Sequence, residues 1–441
     1  MTRPTSSSTA VQEAARSRDF VKGTLWLSVG TLGMRLLPLV LLLLVLRSGQ
    51  PSHYGEYAMA SSIVAIATLV AEGGLALATT SHASISVLEE GALAAQALRA
   101  GVVYYFLCVL VGLAVSFKSG LANVLPFTIM LGVPIPLAGF AAVCLGRLQR
   151  IGVYGTVTKY QLLGGFAGIS AGFAVYLSGY DMLTLIIQGV VTGGTFYGLL
   201  ILSPAARLRP RGNRDIARNF RHSLNYALGS NFVGTVGRRA DDIIIGLFLG
   251  PAALGQYALG YRVMTIGTEV LLHPGERVSM VHVGRAAEDS RSRALTVLAS
   301  NQRRIASIAV PAFAAGGIVA FLLIPRVFGE TWSESAKCAL LLSFAGAAQA
   351  TYNLTYAGLF KVASPRVAFR YQVFLIATLL TPTFAGMVCG VVGAASGFLL
   401  GSLLGLGIAE WSLRRVKSAP RHRLKRTRRS NQKFRRSFNV Q

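Results

Sequence analysis

With 441 residues, 53% of them hydrophobic and only 14% charged, the chain falls well short of the roughly one residue in four that is charged in soluble domains. Its formal charge of +26 would suit a nucleic-acid binder, but the basic residues collect in short segments between apolar runs and in the C-terminal tail. That is the pattern of cytoplasmic loops in a membrane protein, and it leaves no soluble basic domain and no expected nucleic-acid partner. A mean hydropathy of +0.54 agrees.

In chain order, residues 1–22 are polar and Ser/Thr-rich and predict a disordered cytoplasmic N-terminus. The apolar run that follows is too long for a signal peptide and has no small-residue cleavage site after it, so it is expected to remain as the first span. Runs of about twenty apolar residues then predict spans near 24–46, 57–80, 99–117, 121–146, 155–177, 182–203, 224–249, 256–275, 305–325, 336–360, 368–391 and 394–413. The fold expected is an all-α polytopic membrane protein of about 12 transmembrane helices in two six-helix lobes, 23–204 and 223–414. A basic cytoplasmic linker, 205–222, joins the lobes, and a polybasic cytoplasmic tail, 415–441, ends the chain.

Charge checks this count. With the N-terminus inside, about 35 basic residues fall in cytoplasmic segments, about four outside (Arg47, Lys118, Arg326, Lys337) and about four within spans. An odd number of missed helices would spoil that alternation. The N- and C-termini are therefore expected in the cytoplasm, with the tail lying on anionic lipids at about 1 kcal/mol per basic residue near the surface.

The predicted outside loops are short, the longest near 325–336, which leaves no room for an extracytoplasmic domain. Phosphate-loop and HExxH motifs do not occur, so no enzyme activity and no cofactor are expected. Cys108, Cys144, Cys338 and Cys389 lie in or beside apolar runs without metal-ligand spacing and read as small core residues. Pro38, Pro126, Pro134, Pro136, Pro274, Pro311 and Pro382 lie in or at the ends of spans. They mark either bent helices lining a cavity or the ordinary composition of membrane helices.

An internal repeat orders the halves. Tyr54-Gly55-Glu56-Tyr57-Ala58, after the first span, recurs as Leu254-Gly255-Gln256-Tyr257-Ala258, after the seventh. Six intervening helices restore the same orientation, as in transporters built from parallel repeats. With a three-residue gap in the loop, Arg35 of span one falls opposite Arg238 of span seven.

Arg35, Arg238, Arg239 and Arg262 lie deep in apolar runs. Each Arg at a span centre costs about 2.5 to 3.5 kcal/mol, and four facing lipid would cost about 10 kcal/mol. They must therefore face protein, water or a ligand. Asp241 and Asp242 stand one helical turn from Arg238 and Arg239, so mutual neutralisation competes with ligand binding there. Arg35 has no acid within a turn and suits an anionic ligand, or an acid on another helix. Glu72 and Glu269 occupy comparable places in spans two and eight. Either carboxylate, like Asp241 or Asp242, could carry a coupling Na+ or H+, or pair with an arginine. Asn231, Tyr257, Tyr261 and Asn353 are candidate glycan contacts, with Asn225, Tyr226, Tyr352 and Tyr356 on the same helices. Packing is the competing role for all of them.

From Arg238-Arg239-Ala240-Asp241-Asp242 through Leu254-Gly255-Gln256-Tyr257-Ala258 the sequence resembles the seventh-span signature of bacterial polysaccharide exporters of the Wzx type. In that signature a helix with an aspartate runs into an apolar stretch ending in "G..ALG.Y". The resemblance implies the fold of the multidrug/oligosaccharidyl-lipid/polysaccharide (MOP) exporter superfamily, shared with multidrug and toxin extrusion (MATE) antiporters. Its implied cargo is an undecaprenyl-pyrophosphate-linked oligosaccharide, an O-antigen, capsule or exopolysaccharide unit, flipped across the bacterial inner membrane by alternating access. Polysaccharide polymerase and assembly proteins would be its partners. The doubled Arg and Asp depart from the signature and leave open which of Asp241 and Asp242 matches its aspartate. The cationic residues Arg35, Arg238, Arg239 and Arg262 would hold the pyrophosphate. The competing expectations are a drug or metabolite antiporter of the same fold and a membrane glycan polymerase or ligase.

Overall fold

The computed structural model describes residues 33–34, 37–76, 79, 85–118, 120–206, 208, 237, 239–362 and 365–418. Among these residues all regular structure is helical. Backbone amides buried in hydrocarbon have no water to bind, so each must be satisfied within its own segment, which a helix does. Seven helical stretches are long and apolar enough to cross a membrane, and the last of them, Phe369–Arg415, takes in parts of two helices. The chain divides into two compact units, Met1–Arg239 with Gly250–Ala252 and Ala240–Leu249 with Ala253–Gln441.

In the first unit the helices are α1 (Leu37–Ser48), α2 (Pro51–Glu72), α3 (Val87–Ser116), α4 (Val124–Gly132), α5 (Ile135–Arg150), α6 (Tyr154–Leu177) and α7 (Asp181–Leu202). Local chemistry fixes several of their ends. Pro51 opens α2, where its missing N–H costs nothing. Ser86 and Glu89 form a reciprocal capping box at the start of α3. Pro134 and Pro136 separate α4 from α5 within one predicted span. Ser48 donates to Asp181 Oδ2 at 3.1 Å, tying the end of α1 to the start of α7.

Small residues let these helices approach closely. Gly164, Gly168 and Gly172 on α6 meet carbonyls on three successive turns of α7. A Cβ at each would lie 2.9 Å from Thr192 O, 2.7 Å from Gln188 O and 3.1 Å from Thr184 O. Contact at this range gives membrane helices the packing that hydrophobic burial cannot supply between them. At the end where the sequence predicts cytoplasmic loops, Leu93, Val143, Leu148, Val157 and Leu200 form a core. Beside it the fully buried Glu90 of α3 accepts from Arg147 Nη1 at 2.8 Å and from Arg150 Nη2, while Arg150 Nη1 reaches Thr79 O at 3.3 Å.

The second unit contains α8 (residues 239–249, of which Arg239 falls to the first unit), α9 (Pro251–Gly267), a π-turn (Thr268–Leu272) and α10 (His273–Asp289). These are followed by α11 (Arg291–Phe328), α12 (Ser333–Val362), α13 (Pro365–Gly386) and α14 (Gly390–Ser418). A Cβ at Gly260 of α9 would lie 2.8 Å from Ala339 N of α12, and one at Gly346 of α12 would lie 2.8 Å from Met264 Cγ. Gly393, Gly397, Gly401 and Gly405 line α14 against α13, Gly397 meeting Pro382 O and Gly401 meeting Thr378 O. The last helix pair of each unit therefore closes on glycines four residues apart.

Several helices outrun the apolar runs that predict them. At 38 residues α11 is about 57 Å long, nearly twice the hydrocarbon thickness of about 30 Å. Its strongly exposed apolar side chains run only from Ile308 to Val327. Hydropathy marks the lipid-facing part of such a helix and not its ends. One expectation is corrected: Cys108, Cys144 and Cys338 are buried, but Cys389 is exposed. It lies in the 3-10 turn Met387–Cys389 between α13 and α14, a turn hidden in the sequence because its residues are as apolar as the spans around it.

Replacing Gly168 with Leu should lower stability by about 1–3 kcal/mol through overpacking, read as a lower thermal midpoint in detergent. The same change at Gly194, where a Cβ meets nothing within 4 Å, should leave the midpoint unchanged. Removing the Glu90 carboxylate as Glu90→Ala should cost about 3–5 kcal/mol, because two partly buried guanidinium groups lose their shared acid. Denaturation monitored on the purified protein would read that loss.

Candidate functional site

The repeat found in the sequence has a structural counterpart. Glu56 in α2 is 4% exposed and accepts from Asn123 N at 3.1 Å and Asn123 Nδ2 at 2.9 Å, at the residue that precedes α4. Gln256 in α9 is 8% exposed. Its Oε1 accepts from Ser335 N at 2.8 Å and Ser335 Oγ at 2.6 Å, in the first turn of α12, and its Nε2 donates to Thr331 O at 2.5 Å. In each half the same motif position ties a helix to the start of another, α2 to α4 in the first unit and α9 to α12 in the second. Tyrosines pack alongside, Tyr54 stacking on Tyr57 within the first copy at 6.0 Å and Tyr257 of the second copy on Tyr261, one turn further on, at 5.9 Å.

Both second helices lose regular geometry at their acid. α2 ends on Glu72, and Gly73 and Gly74 follow in the left-handed region at φ 55° and 70°, where only glycine is unstrained. In the other half Glu269 lies in the π-turn Thr268–Leu272 between α9 and α10, a distortion frequent at functional sites. Glu72 and Glu269 are both partly buried. Tyr197 of α7 donates its hydroxyl to Glu72 Oε1 at 3.2 Å. Over the last three turns of α2, 61–72, no side chain reaches the exposure of the lipid-facing residues of α3 or α11.

In the second unit Asp241 and Asp242 are almost wholly buried. Tyr257, itself fully enclosed, donates to Asp241 Oδ2 at 2.9 Å. That interaction occupies its hydroxyl, while Tyr261 stays partly exposed and meets Phe398 edge-on at 5.9 Å. Tyr352 is buried, and its carbonyl accepts from Tyr371 at 3.2 Å. Asn353, on the next position of α12, is partly exposed. Arg239 and Arg262 are both partly buried, and Arg262 Nε makes no hydrogen bond among the described residues.

Arg35, Arg238, Asn225, Tyr226 and Asn231 lie outside the described residues, as does the side chain of Tyr356. The structure therefore joins Tyr257 to Asp241, and Glu72 to a partner that sequence reasoning did not name, Tyr197. Sequence reasoning also passed over Glu56, Glu90, Arg147 and Arg150. The last three lie at helix ends, where charge is expected, and nothing in their spacing shows that one acid takes both arginines. Glu56 did have a signal, since it occupies one of the two positions at which the copies of the motif differ. No group of three or more metal-ligating His, Cys, Asp or Glu side chains occurs among the described residues.

A family model described as polysaccharide biosynthesis protein matches residues 46–337. No curated protein is similar in sequence. Among solved structures, the lipid II flippase MurJ in an inward closed conformation aligns with a TM-score of 0.72 at 11% identity, over 88% of this chain and 87% of its own. An inward-facing multidrug resistance MATE family transporter of the MOP superfamily aligns with a TM-score of 0.68 at 12% identity, over 89% and 96%. A MOP superfamily transporter from Pyrococcus furiosus, whose binding pocket is described as reversed in polarity, gives 0.60 at 13%, over 91% and 96%. At such identities these structures speak for the fold, which is that of the MOP exporters. The family match extends over most of the sequence, and the chain belongs to the polysaccharide biosynthesis protein family.

Proposed function

We propose that the protein is a flippase for an undecaprenyl-pyrophosphate-linked oligosaccharide, such as an O-antigen, capsule or exopolysaccharide repeat unit, in the bacterial inner membrane. The observation that carries this reading is the conjunction of a polysaccharide biosynthesis family match with a fold shared by a lipid II flippase. The fold alone supports a flippase or other transporter; the family match supports a glycan as its cargo.

The physical problem is the diphosphate, which is far too costly to pass through hydrocarbon without escort. Arg35, Arg238, Arg239 and Arg262 would hold it, since a guanidinium stays charged and presents a planar fork of donors that fits phosphate oxygens. The glycan would cross in water against Tyr261, Asn231 and Asn353, and the polyprenyl tail would remain in lipid. Alternating access would carry the cargo from the inner to the outer leaflet. Glu72, Asp241, Asp242 and Glu269 are the acids available to couple that movement to an ion gradient. Both termini would face the cytoplasm, the tail from residue 415 resting on anionic lipids. Polysaccharide polymerase and assembly proteins would receive the product.

The similarity to MATE structures keeps an antiporter of drugs or metabolites as the rival, although arginines would repel cationic drugs. Deleting the protein should cause lipid-linked oligosaccharide to accumulate on the cytoplasmic leaflet. Resistance to drugs on overexpression, with surface glycan unchanged by deletion, would favour the rival. Arg35→Ala should abolish polymer export while the protein still folds in the membrane, measured as surface glycan and membrane-inserted protein. Export at the wild-type level from that variant would remove Arg35 from the site.

A further inference from the structure

Away from the acids and arginines of the candidate site, the second unit carries a slot on its lipid-facing side. On α12 the side chains of Lys337, Phe344 and Thr351 stand seven residues apart and so share one helical face. Lys337 and Phe344 are exposed and Thr351 is partly exposed. Among the described residues of α12, Phe344 is the one large apolar side chain that is strongly exposed. The neighbouring helices explain why. α11 packs along α12, its Gly317 meeting Ser343, while α13 packs mainly on α14, against Gly397 and Gly401. α12 therefore reaches lipid through the gap that α11 and α13 leave between them.

At the end of the slot where the sequence predicts cytoplasm, both flanking helices bond to the same turn of α12. Gln302 Nε2 of α11 donates to Thr355 Oγ1 at 2.7 Å and to Thr351 O at 3.4 Å, and the Tyr371 hydroxyl of α13 donates to Tyr352 O at 3.2 Å. These bonds fix the direction of the adjacent residues, because successive helical positions lie about 100° apart. Asn301 donates to Ser279 of α10 at 3.0 Å. With Asn301 on α10 and Gln302 on α12, Arg303 turns to the side away from α10. On α13, Leu375 and Leu379 meet Gly405 and Gly401 of α14 on one side of Tyr371, and Arg370 lies on the other. Arg303 and Arg370 are both exposed and stand at one depth on the two rims of the slot. Arg304 adds a third exposed guanidinium. Among the described residues no acid bonds any of the three, and Arg303 Nε donates back to its own helix at Ala299 O. Helices pack about 8–10 Å apart, so the two rims are separated by less than about 20 Å.

Arginines without acids call for an anion, and the apolar slot that continues from them calls for hydrocarbon. Ile308 on α11 and Phe374 on α13 are 61% and 64% exposed, and each follows its arginine within five residues, about 8 Å of helix. We propose that the slot binds an anionic phospholipid of the cytoplasmic leaflet, its phosphate held between Arg303 and Arg370 and one acyl chain lying along α12 over Phe344. The planar fork of a guanidinium fits phosphate oxygens. A zwitterionic headgroup brings its own ammonium into the same positive field and is disfavoured. An acidic protein segment would match the arginines but not a slot that runs on past Phe344 into hydrocarbon. Once bound, the lipid joins α11 to α13, which pack on α12 and α14 and little on each other, so it stabilises the second unit. The site uses none of the residues assigned to the cargo, and the proposal holds whatever the cargo is.

The test titrates the full-length protein in detergent with phosphatidylglycerol and with phosphatidylcholine, reading bound lipid by native mass spectrometry and the thermal midpoint alongside. Wild type should bind phosphatidylglycerol more tightly and gain stability from it. Replacing both rim arginines, Arg303→Gln with Arg370→Gln, should weaken that binding by about thirtyfold and remove the gain. Arg326→Gln, which takes the same charge from the other end of α11, should change neither. A phosphatidylglycerol carrying a photoreactive acyl chain should label α12 around Phe344. Equal binding of the two lipids, wild-type binding by the double variant, or labelling confined to other helices overturns the proposal. So does displacement of the label by equimolar undecaprenyl pyrophosphate, which would give the slot to the cargo lipid, or dimerisation through this face that excludes the label. If the double variant fails to fold, labelling of wild type decides, and competition by phosphatidylcholine as effective as by phosphatidylglycerol overturns it.

Discussion

The bilayer core offers no water to a polar group, and the rest of the structure follows from that constraint. It requires the backbone to bond to itself, which makes every described element a helix. It also removes hydrophobic burial as a force between helices, since lipid tails are as apolar as leucine. What remains is close contact, and the glycines of α6 and α14 provide it by bringing whole helices within reach of neighbouring carbonyls. The cost of overfilling such a contact is high because backbone atoms, not flexible side-chain ends, stand on the far side.

The same constraint explains where the charged groups go. Glu90 sits fully buried only because Arg147 and Arg150 share it, and Asp241 is buried with a hydroxyl from Tyr257. Glu56 and Gln256 stay inside their units by bonding to the start of another helix. The exchange of an acid for an amide at this position shows what the repeat keeps. Both side chains present a carbonyl oxygen to a backbone N–H, so the geometry of the tie is retained while the charge is not. Placed on α2 and α9, the tie fixes each against the start of another helix of its own unit, α4 and α12.

The far end of α2 and of α9 is where the halves depart from ideal helix. Gly73–Gly74 and the π-turn at Thr268–Leu272 are different distortions at comparable depth, each beside a glutamate. The MOP fold provides two such halves, and the family provides a role in polysaccharide biosynthesis.

Much of this protein is determined by its sequence alone. Apolar length gives a helical membrane protein, Lys and Arg spacing gives the expected alternation of loops, and the motif at Tyr54 and Leu254 gives the repeat. These are properties of composition and period, which hydrocarbon reads directly. The tertiary structure decided what depends on distance between segments. It extended α11 beyond its apolar stretch, put Cys389 in an exposed turn, gave Arg147 and Arg150 to Glu90, and set Tyr197 against Glu72. Residues 125 positions apart share no local pattern, so only the packing of α2 and α7 could bring that hydroxyl to that acid.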